Sequence, residues 1–389
     1  MGKGKRLART VARALLIPLL GSGCTLRSSV EPGAGSGGQP GTGMQPGSAG
    51  TTSVPGPACT GSTPPAPPAE GVAQGPCDIY AADGGPCVAA HSMIRALYAT
   101  YAGPLYQVRK SDSTPPQDIM PLAPGGLANA AAQDTYCGTD ACTISIIYDQ
   151  SGKGNHLTAA PPGEQRPSVA NEASAKGVPI TLGGQKFYGV HIVPGTGYRN
   201  STPCGTATGD DAETEYMIVD GSFSNGGCCF DYGNMETNSR DNGEGTMEAV
   251  YFGTCITWGK GADNGPWVMG DLENGLWAGN SSPFLENKPI TSRYVMGMVK
   301  GGAAGTNHWT IKEGDATDVN NWTTPFSGER PSSRYNPMRK EGAIGLGTGG
   351  DASNAARGNW FEGVMTAAYA SDMADQAVHT NVVSIYGQP

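Results

Sequence analysis

The chain has 389 residues, including 60 Gly and 30 Pro, with 15% charged residues, 7% aromatic residues and a formal charge of −9. Glycine and proline at such a level usually mark low complexity, yet every Phe, Trp and Tyr lies at Tyr80 or beyond, so a tail is attached to a real core. No apolar run approaches the ~20 residues that a membrane-spanning helix needs, which excludes an integral helical membrane protein.

The first 23 residues carry Lys3, Lys5, Arg6, Arg9 and Arg13 and no acid, followed by a short apolar stretch and the small residues Gly21, Ser22 and Gly23. This is the pattern of a secretory signal peptide, so residues 1–23 are expected to be removed on export. Cys24 then stands where a bacterial lipoprotein carries its acyl chain, although Gly21 occupies the usual Leu position. A lipid anchor at Cys24 on the outer face of a bacterial membrane and plain secretion are both consistent with the leader. Losing the leader takes away five positive charges and leaves −14. An acidic surface of that kind repels phosphate backbones and argues against nucleic acid as a partner.

Of the 40 residues from 31 to 70, 28 are Gly, Pro, Ser or Thr. With no aromatic residue to nucleate packing, residues 24–75 are expected to be a linker. Domain composition begins at Cys77, which places the folded unit at residues 76–389.

Ten cysteines in an exported chain point to disulfides. Cys77/Cys87 and Cys137/Cys142 close short loops and suit local bridges. Cys204 and Cys255 could form a longer one, and Cys59 lies in the linker. Cys228 and Cys229 are adjacent. They either bond to each other through a strained eight-membered ring, which tends to persist where function uses it, or pair elsewhere, or include a buried thiol. There is no CxxC pair and no HExxH, and the five histidines are scattered. No metal or other cofactor is expected.

Along the core, residues 143–148, 246–252, 267–271, 294–299, 308–312 and 360–369 read as strands, short and β-branched or aromatic, separated by Gly, Asn, Asp and Pro turns. Many such strands predict an all-β sandwich with a few short helices. One helix is expected over residues 89–101, with Met93, Leu97 and Tyr101 on one face. A second is expected at the C-terminus, capped by Ser371, with Ala374, Ala377, Val378, Val382 and Ile385 inward and Gly387 as its stop.

Residues 345–350 spell GLGTGG and match GxGxxG literally, but no strand–helix–strand unit surrounds them. They read instead as a flexible turn presenting Asp351. Residues 149–155 (DQSGKGN) lack the carboxylates of a calcium loop and read as a tight turn. In the strand 267–271 and its continuation, alternation places Asp271 and Glu273 on one face and Leu272 on the other, into the core. Two neighbouring acids raise the pKa of at least one of them, an arrangement often kept for acid/base or nucleophilic work. Glu248, on another strand, is a rival candidate with a more apolar face.

Seven segments occur in a fixed order: residues 77–82 (CDIYAA), 146–152 (IIYDQSG), 194–200 (PGTGYRN), 228–234 (CCFDYGN), 245–251 (GTMEAVY), 271–276 (DLENGL) and 335–338 (YNPM). Together they resemble the catalytic domain of secreted α-L-arabinofuranosidases of glycoside hydrolase family 54, over residues 76–389. The resemblance implies a concanavalin-like β-sandwich that hydrolyses terminal α-L-arabinofuranosyl groups with retention. The partners would be arabinose-containing plant cell-wall polysaccharides, such as arabinoxylan and arabinan, and their oligosaccharides.

The resemblance assigns the nucleophile to Glu273 and the general acid/base to Asp351. It gives Asp271 and Asn274 to the sugar hydroxyls, Trp258 to a pocket wall, Gly350 to backbone beside the acid, and Cys228–Cys229 to a vicinal disulfide against the sugar ring. Retaining hydrolysis needs two carboxyls about 5–5.5 Å apart; a rigid strand would suit Glu273 and a mobile turn would suit Asp351. A non-catalytic carbohydrate-binding module on the same sandwich is the alternative, and side activity on β-D-xylosides a narrower one. Because the sequence stops at Pro389 without the family's usual arabinose-binding module, oligosaccharides are expected to be preferred over insoluble polymer.

Overall fold

A computed structural model describes Met1, residues 63–69 and residues 71–388. The expected signal peptide, Cys24, Cys59 and most of the linker lie outside these residues. Among the described residues the first regular element, the helix Pro76–Ala82, begins directly after Gly75, with Pro76 in its first turn and Asp78 accepting from the Gly75 amide.

Two antiparallel sheets pack face to face. In spatial order the first contains Trp322–Glu329, His308–Asp315, Val295–Gly301, Glu213–Ser224, Gly358–Thr366, Gln185–Ile192 and Val178–Leu182, with Cys87–Ser92 also paired to Gly358–Thr366. The second contains Leu276–Trp277, Trp267–Asp271, Glu248–Gly253, Asp231–Met235, Ala343–Leu346, Tyr198–Asn200, Leu157–Ala159, Cys142–Ile147, Tyr106–Lys110 and Gln117–Ile119. The all-β sandwich expected from the sequence is therefore present. Among the described residues the α-helices are Pro76–Ala82, Ala130–Cys137 and Asp372–Tyr386.

The helix expected over residues 89–101 does not form. The segment opens as the strand Cys87–Ser92, and every residue from 87 to 98 is buried. An amphipathic helix needs a solvated face; a segment enclosed on all sides is better satisfied by pairing with Gly358–Thr366. The C-terminal helix forms as expected, with the Ser371 side chain accepting from the Ala374 amide and Gly387 at the C-cap. Its inward face is Ala374, Val378, Val382 and Tyr386, whereas Ala377 is exposed.

Residues 149–155 form the expected tight turn, in which Asp149 accepts from the amides of Ala90, Ser151 and Asn155. Cys77–Cys87, Cys137–Cys142 and Cys228–Cys229 are bridged. Cys204 and Cys255 are each disulfide-bonded as well, but a Cys204–Cys255 bridge is not among those joining described residues. They occupy different places. Cys204 is held by Asn155, while Cys255 packs with Cys229, Tyr251 and Trp267.

Strand alternation in the second sheet decides what faces what. Tyr198, Tyr232, Val250, Phe252, Val268, Ile344 and Leu346 enter the core between the sheets. Their neighbours turn to the outer face. There the register aligns one cross-strand row, Asp271, Ala249, Gly233, Gly345 and Arg199. At roughly 4.8 Å per strand the row spans about 19 Å. A polar group stands at each end and three small residues lie between, with Met235 packed over Gly345 and against Ala249.

On the inner face of the same sheet, Gly270 lies against Trp309 of the first sheet, where an added Cβ would come within 2.6 Å of the indole. Trp309 is fully buried and has no space to retreat. Gly270→Ala is expected to destabilise the fold by about 1–3 kcal/mol through overpacking and to displace Asp271. Chemical denaturation together with activity would check this, and an unchanged midpoint would contradict it.

Candidate active site

Glu273 does not sit on a strand. The strand ends at Asp271, and Glu273 and Asn274 follow in a turn with φ of 60° and 53°. Non-glycine residues adopt this left-handed region infrequently. The turn holds because the Leu272 amide donates to Gly275 carbonyl and the Glu273 amide to Asp271 Oδ1 at 3.2 Å. Leu272, beyond the strand, is buried against Tyr335 and Met338 in a small cluster of its own rather than in the core between the sheets. Packing beneath the turn therefore supplies the rigidity expected of a strand.

Asp351 follows Ala343–Leu346 through the glycine turn, and that turn is pinned rather than mobile. The Gly349 amide bonds Ser353 carbonyl at 2.8 Å, the Gln165 amide bonds Asp351 carbonyl at 3.0 Å, and the Ser353 amide bonds Asp351 Oδ1 at 2.8 Å. Arg199 Nη1 donates to the Gly350 carbonyl at 3.1 Å from below. Gly350 is needed for close approach. A Cβ there would overlap Glu236 Oε2 and lie 2.9 Å from Glu273 Oε2.

These elements enclose a cavity of about 160 Å³. That is close to the roughly 150 Å³ that holds one benzene ring. All eight residues singled out in the sequence line it: Cys228, Cys229, Trp258, Asp271, Glu273, Asn274, Gly350 and Asp351. Trp258 and Cys228 are half-buried and pack on Cys229, Tyr251 and Trp267, giving one apolar wall. The peptide between Cys228 and Cys229 is cis. Asn274 is exposed and donates to Asp241 at 2.9 Å. The sulfurs of Cys228 and Cys229 and an Asp271 oxygen lie within 4.8 Å of one another. A bridged pair offers no thiolate, so the group makes a poor metal site.

Five acids converge here. Burial first, then Glu236, Asp271 and Asp351, pushes Glu273 well above the ordinary carboxylate range. Asp271 is raised to about 7, chiefly by burial and despite the Glu273 amide. Burial also raises Asp351, with Asp241 and Glu164 adding to it and the hydrogen bonds from Ser353 opposing.

Two further acids were not singled out in the sequence. Neither oxygen of Asp231 receives a protein hydrogen bond; its partner is Asp271, and two carboxyls bond only if one is protonated. Glu236 pairs with Glu273 in the opposite sense, accepting from Glu273, and its other oxygen accepts from Thr246 Oγ1 at 2.5 Å. Both lie in or beside the strand Asp231–Met235, whose first residues belong to the quoted CCFDYGN segment. Asp231 was read only as part of that segment, and Glu236, one residue beyond the strand, carried no signal in the sequence. The rival Glu248 stands apart, paired with Arg330 at 2.8 Å and Lys340 at 3.0 Å and lowered to about 2 despite its burial.

Residues 76–387 match the family described as alpha-L-arabinofuranosidase B, catalytic. A probable alpha-L-arabinofuranosidase B of Aspergillus clavatus is 54% identical over 318 residues, covering 80% of this chain and 62% of that protein. An arabinofuranosidase/B-xylosidase of Trichoderma koningii is 53% identical over 319 residues, covering 80% and 63%. The crystal structure of an arabinofuranosidase complexed with arabinofuranosyl-alpha-1,2-xylobiose superposes with a TM-score of 0.77 at 51% identity, covering 80% of this chain and 65% of that one. The chain thus spans less than two thirds of the length of these relatives.

The raised acids have a consequence for stability. Asp271 is neutral in both states well below pH 4; as the pH rises, the unfolded chain ionises from 3.8 and the folded one only near 7, so stability falls across that window. The domain is expected to melt several degrees lower at pH 8 than at pH 5, and Asp271→Asn to narrow the gap by raising the pH 8 midpoint. Calorimetry at both values checks this, and a variant that melts lower at pH 8 would contradict it.

Proposed function

The chain belongs to the alpha-L-arabinofuranosidase B catalytic family, and from that footing we propose that it is a secreted, retaining, exo-acting α-L-arabinofuranosidase. It removes terminal arabinofuranosyl groups from arabinoxylan, arabinan or their oligosaccharides. The observation that carries this reading is the placement of Glu273 and Asp351, both raised acids, on one ring-sized cavity with an indole and a disulfide along its wall. The small cavity favours one terminal sugar over an internal chain segment. Export agrees with the leader and with the Cys77–Cys87 and Cys137–Cys142 bridges, which persist in oxidising compartments.

In this reading Glu273, ionised, attacks the anomeric carbon and forms a glycosyl ester while Asp351 gives its proton to the departing oxygen. Asp351, now a carboxylate, takes a proton from water, which attacks the same carbon and frees the sugar and Glu273. Burial and the acidic neighbours Asp241 and Glu164 favour the protonated Asp351 that the first step needs. Asp271 and Asn274 bind sugar hydroxyls. Trp258 and the Cys228–Cys229 bridge orient the apolar face of the ring, and the backbone at Gly350 lies beside the acids. The name of the Trichoderma koningii relative supports a secondary activity on β-D-xylosides.

Release of 4-nitrophenol from its α-L-arabinofuranoside tests the assignment. Glu273→Gln and Asp351→Asn are each expected to lose ~10²–10⁴-fold or more in kcat. Azide is expected to rescue Asp351→Asn on this activated substrate and not Glu273→Gln. Binding without turnover in the wild type would favour a carbohydrate-binding module, and full activity in either variant would overturn the roles given.

A further inference from the structure

Arg199 belongs to no part of the reaction described above, yet its surroundings are unusual. It lies at the opposite end of the cross-strand row from Asp271 and is only 2% exposed. Nη1 donates to the carbonyls of Gly349 and Gly350, whereas Nε and Nη2 meet no protein acceptor. A buried guanidinium with two idle donors is costly. No carboxylate forms a salt bridge with it among the described residues. Instead its charge acts through space on Glu236 first, then Asp351, Glu273 and Glu341.

The acids around it carry more negative charge than a buried site tolerates. Glu236 and Glu273 crowd one side of Gly350, with their Oε2 atoms both against the space a side chain would fill. Asp271 adjoins Glu273 and is bonded to Asp231. Asp351 faces Glu164 and Asp241 across the cavity mouth. Among the described residues, the Arg199 cation acts on Glu236, Asp351 and Glu273 of this group. One positive charge balances one negative charge, so the Glu236–Glu273 pair is electrically satisfied when it holds a single proton.

Resting on the arabinofuranosidase reading, we propose that Arg199 is a positioning residue that, from beneath the glycine turn, keeps the Glu236–Glu273 pair at one net negative charge. The same guanidinium fixes the Gly349–Gly350 carbonyls and hence the turn that carries Asp351. Its charge and its hydrogen bonds serve separate ends, and substitution separates them.

The test is the pH profile of kcat/KM on 4-nitrophenyl α-L-arabinofuranoside. Arg199→Gln keeps a donor for the turn but removes the charge. Both limbs of its bell are expected to move up by about 1 pH unit or more, because losing a nearby cation makes each carboxyl harder to ionise. Arg199→Lys keeps the charge and is expected to return the bell to its wild-type position, with a lower maximum because a point ammonium holds the two carbonyls less well. A merely structural role would lower the maximum in both variants and move neither limb; that result overturns the proposal, as does a lysine variant whose bell stays shifted.

Should Arg199→Gln fail to fold, Glu236→Gln gives the opposite reading. Removing the acid that competes with Glu273 for the guanidinium is expected to move the acidic limb down, and a limb that stays put or rises overturns the proposal. A wild-type chain with no turnover would sink the enzymatic reading and this inference with it, whereas an active wild type with an unmoved bell sinks this inference alone.

Discussion

The site depends on keeping acids out of water. Asp231, Glu236, Asp271 and Glu273 are each less than a tenth exposed, with Asp351 close behind. Removing a carboxylate from water is unfavourable by several kcal/mol unless charge or hydrogen bonds compensate. A fold can hold such a group only on a platform that does not yield. Here the platform is the second sheet, whose inner face is anchored by Tyr232, Val250, Phe252 and Val268 in the core shared with the first sheet. The outer face of the same strands carries the acids. Stability made on one side of the sheet sustains the unfavourable arrangement on the other.

A second buried cluster shows what the same fold does with acids when it neutralises them. Glu248 lies on the strand next to Asp271, yet Arg330 and Lys340 pair with it directly, and Lys340 also bridges Glu213 at 2.9 Å. Direct ion pairing drives Glu248 down to about 2 and fixes it as a carboxylate. In the cavity the cation is withheld behind a glycine turn, and the acids stay where protons can move among them. The contrast separates a structural acid from one suited to proton transfer. Both are buried beside the second sheet, but Glu248 faces the first sheet and its direct cations, whereas the cavity acids lie on the outer side.

Much of the site was legible because its chemistry is local in sequence. The spacing of Asp271 and Glu273, the adjacent cysteines and the glycine run before Asp351 each announce an unusual demand, and all three line the same cavity. The helix expected over residues 89–101 failed for the opposite reason. A spacing of four between Met93, Leu97 and Tyr101 describes one apolar face, but the residues up to Tyr98 are buried on every side, and periodicity loses its meaning there. Glu273 was expected on a strand because alternation was extended two residues beyond where pairing stops. A left-handed turn delivers the carboxylate to the same cavity from a different backbone.

By itself the sequence determined the all-β class, the C-terminal helix with its Ser371 cap and two local disulfides, because these follow from propensity, periodicity and short loops, while the set of residues around the cavity was read from the resemblance of seven ordered segments to a known family. Only the tertiary structure decided that Asp271 and Arg199, 72 positions apart, would stand at the ends of one row with Ala249, Gly233 and Gly345 between them. Asp231 and Glu236 likewise became partners of Asp271 and Glu273 only through strand register. The physical reason is that the charge on a buried acid is set by what lies within a few ångströms of it, and in an antiparallel sandwich those neighbours come from strands far apart along the chain.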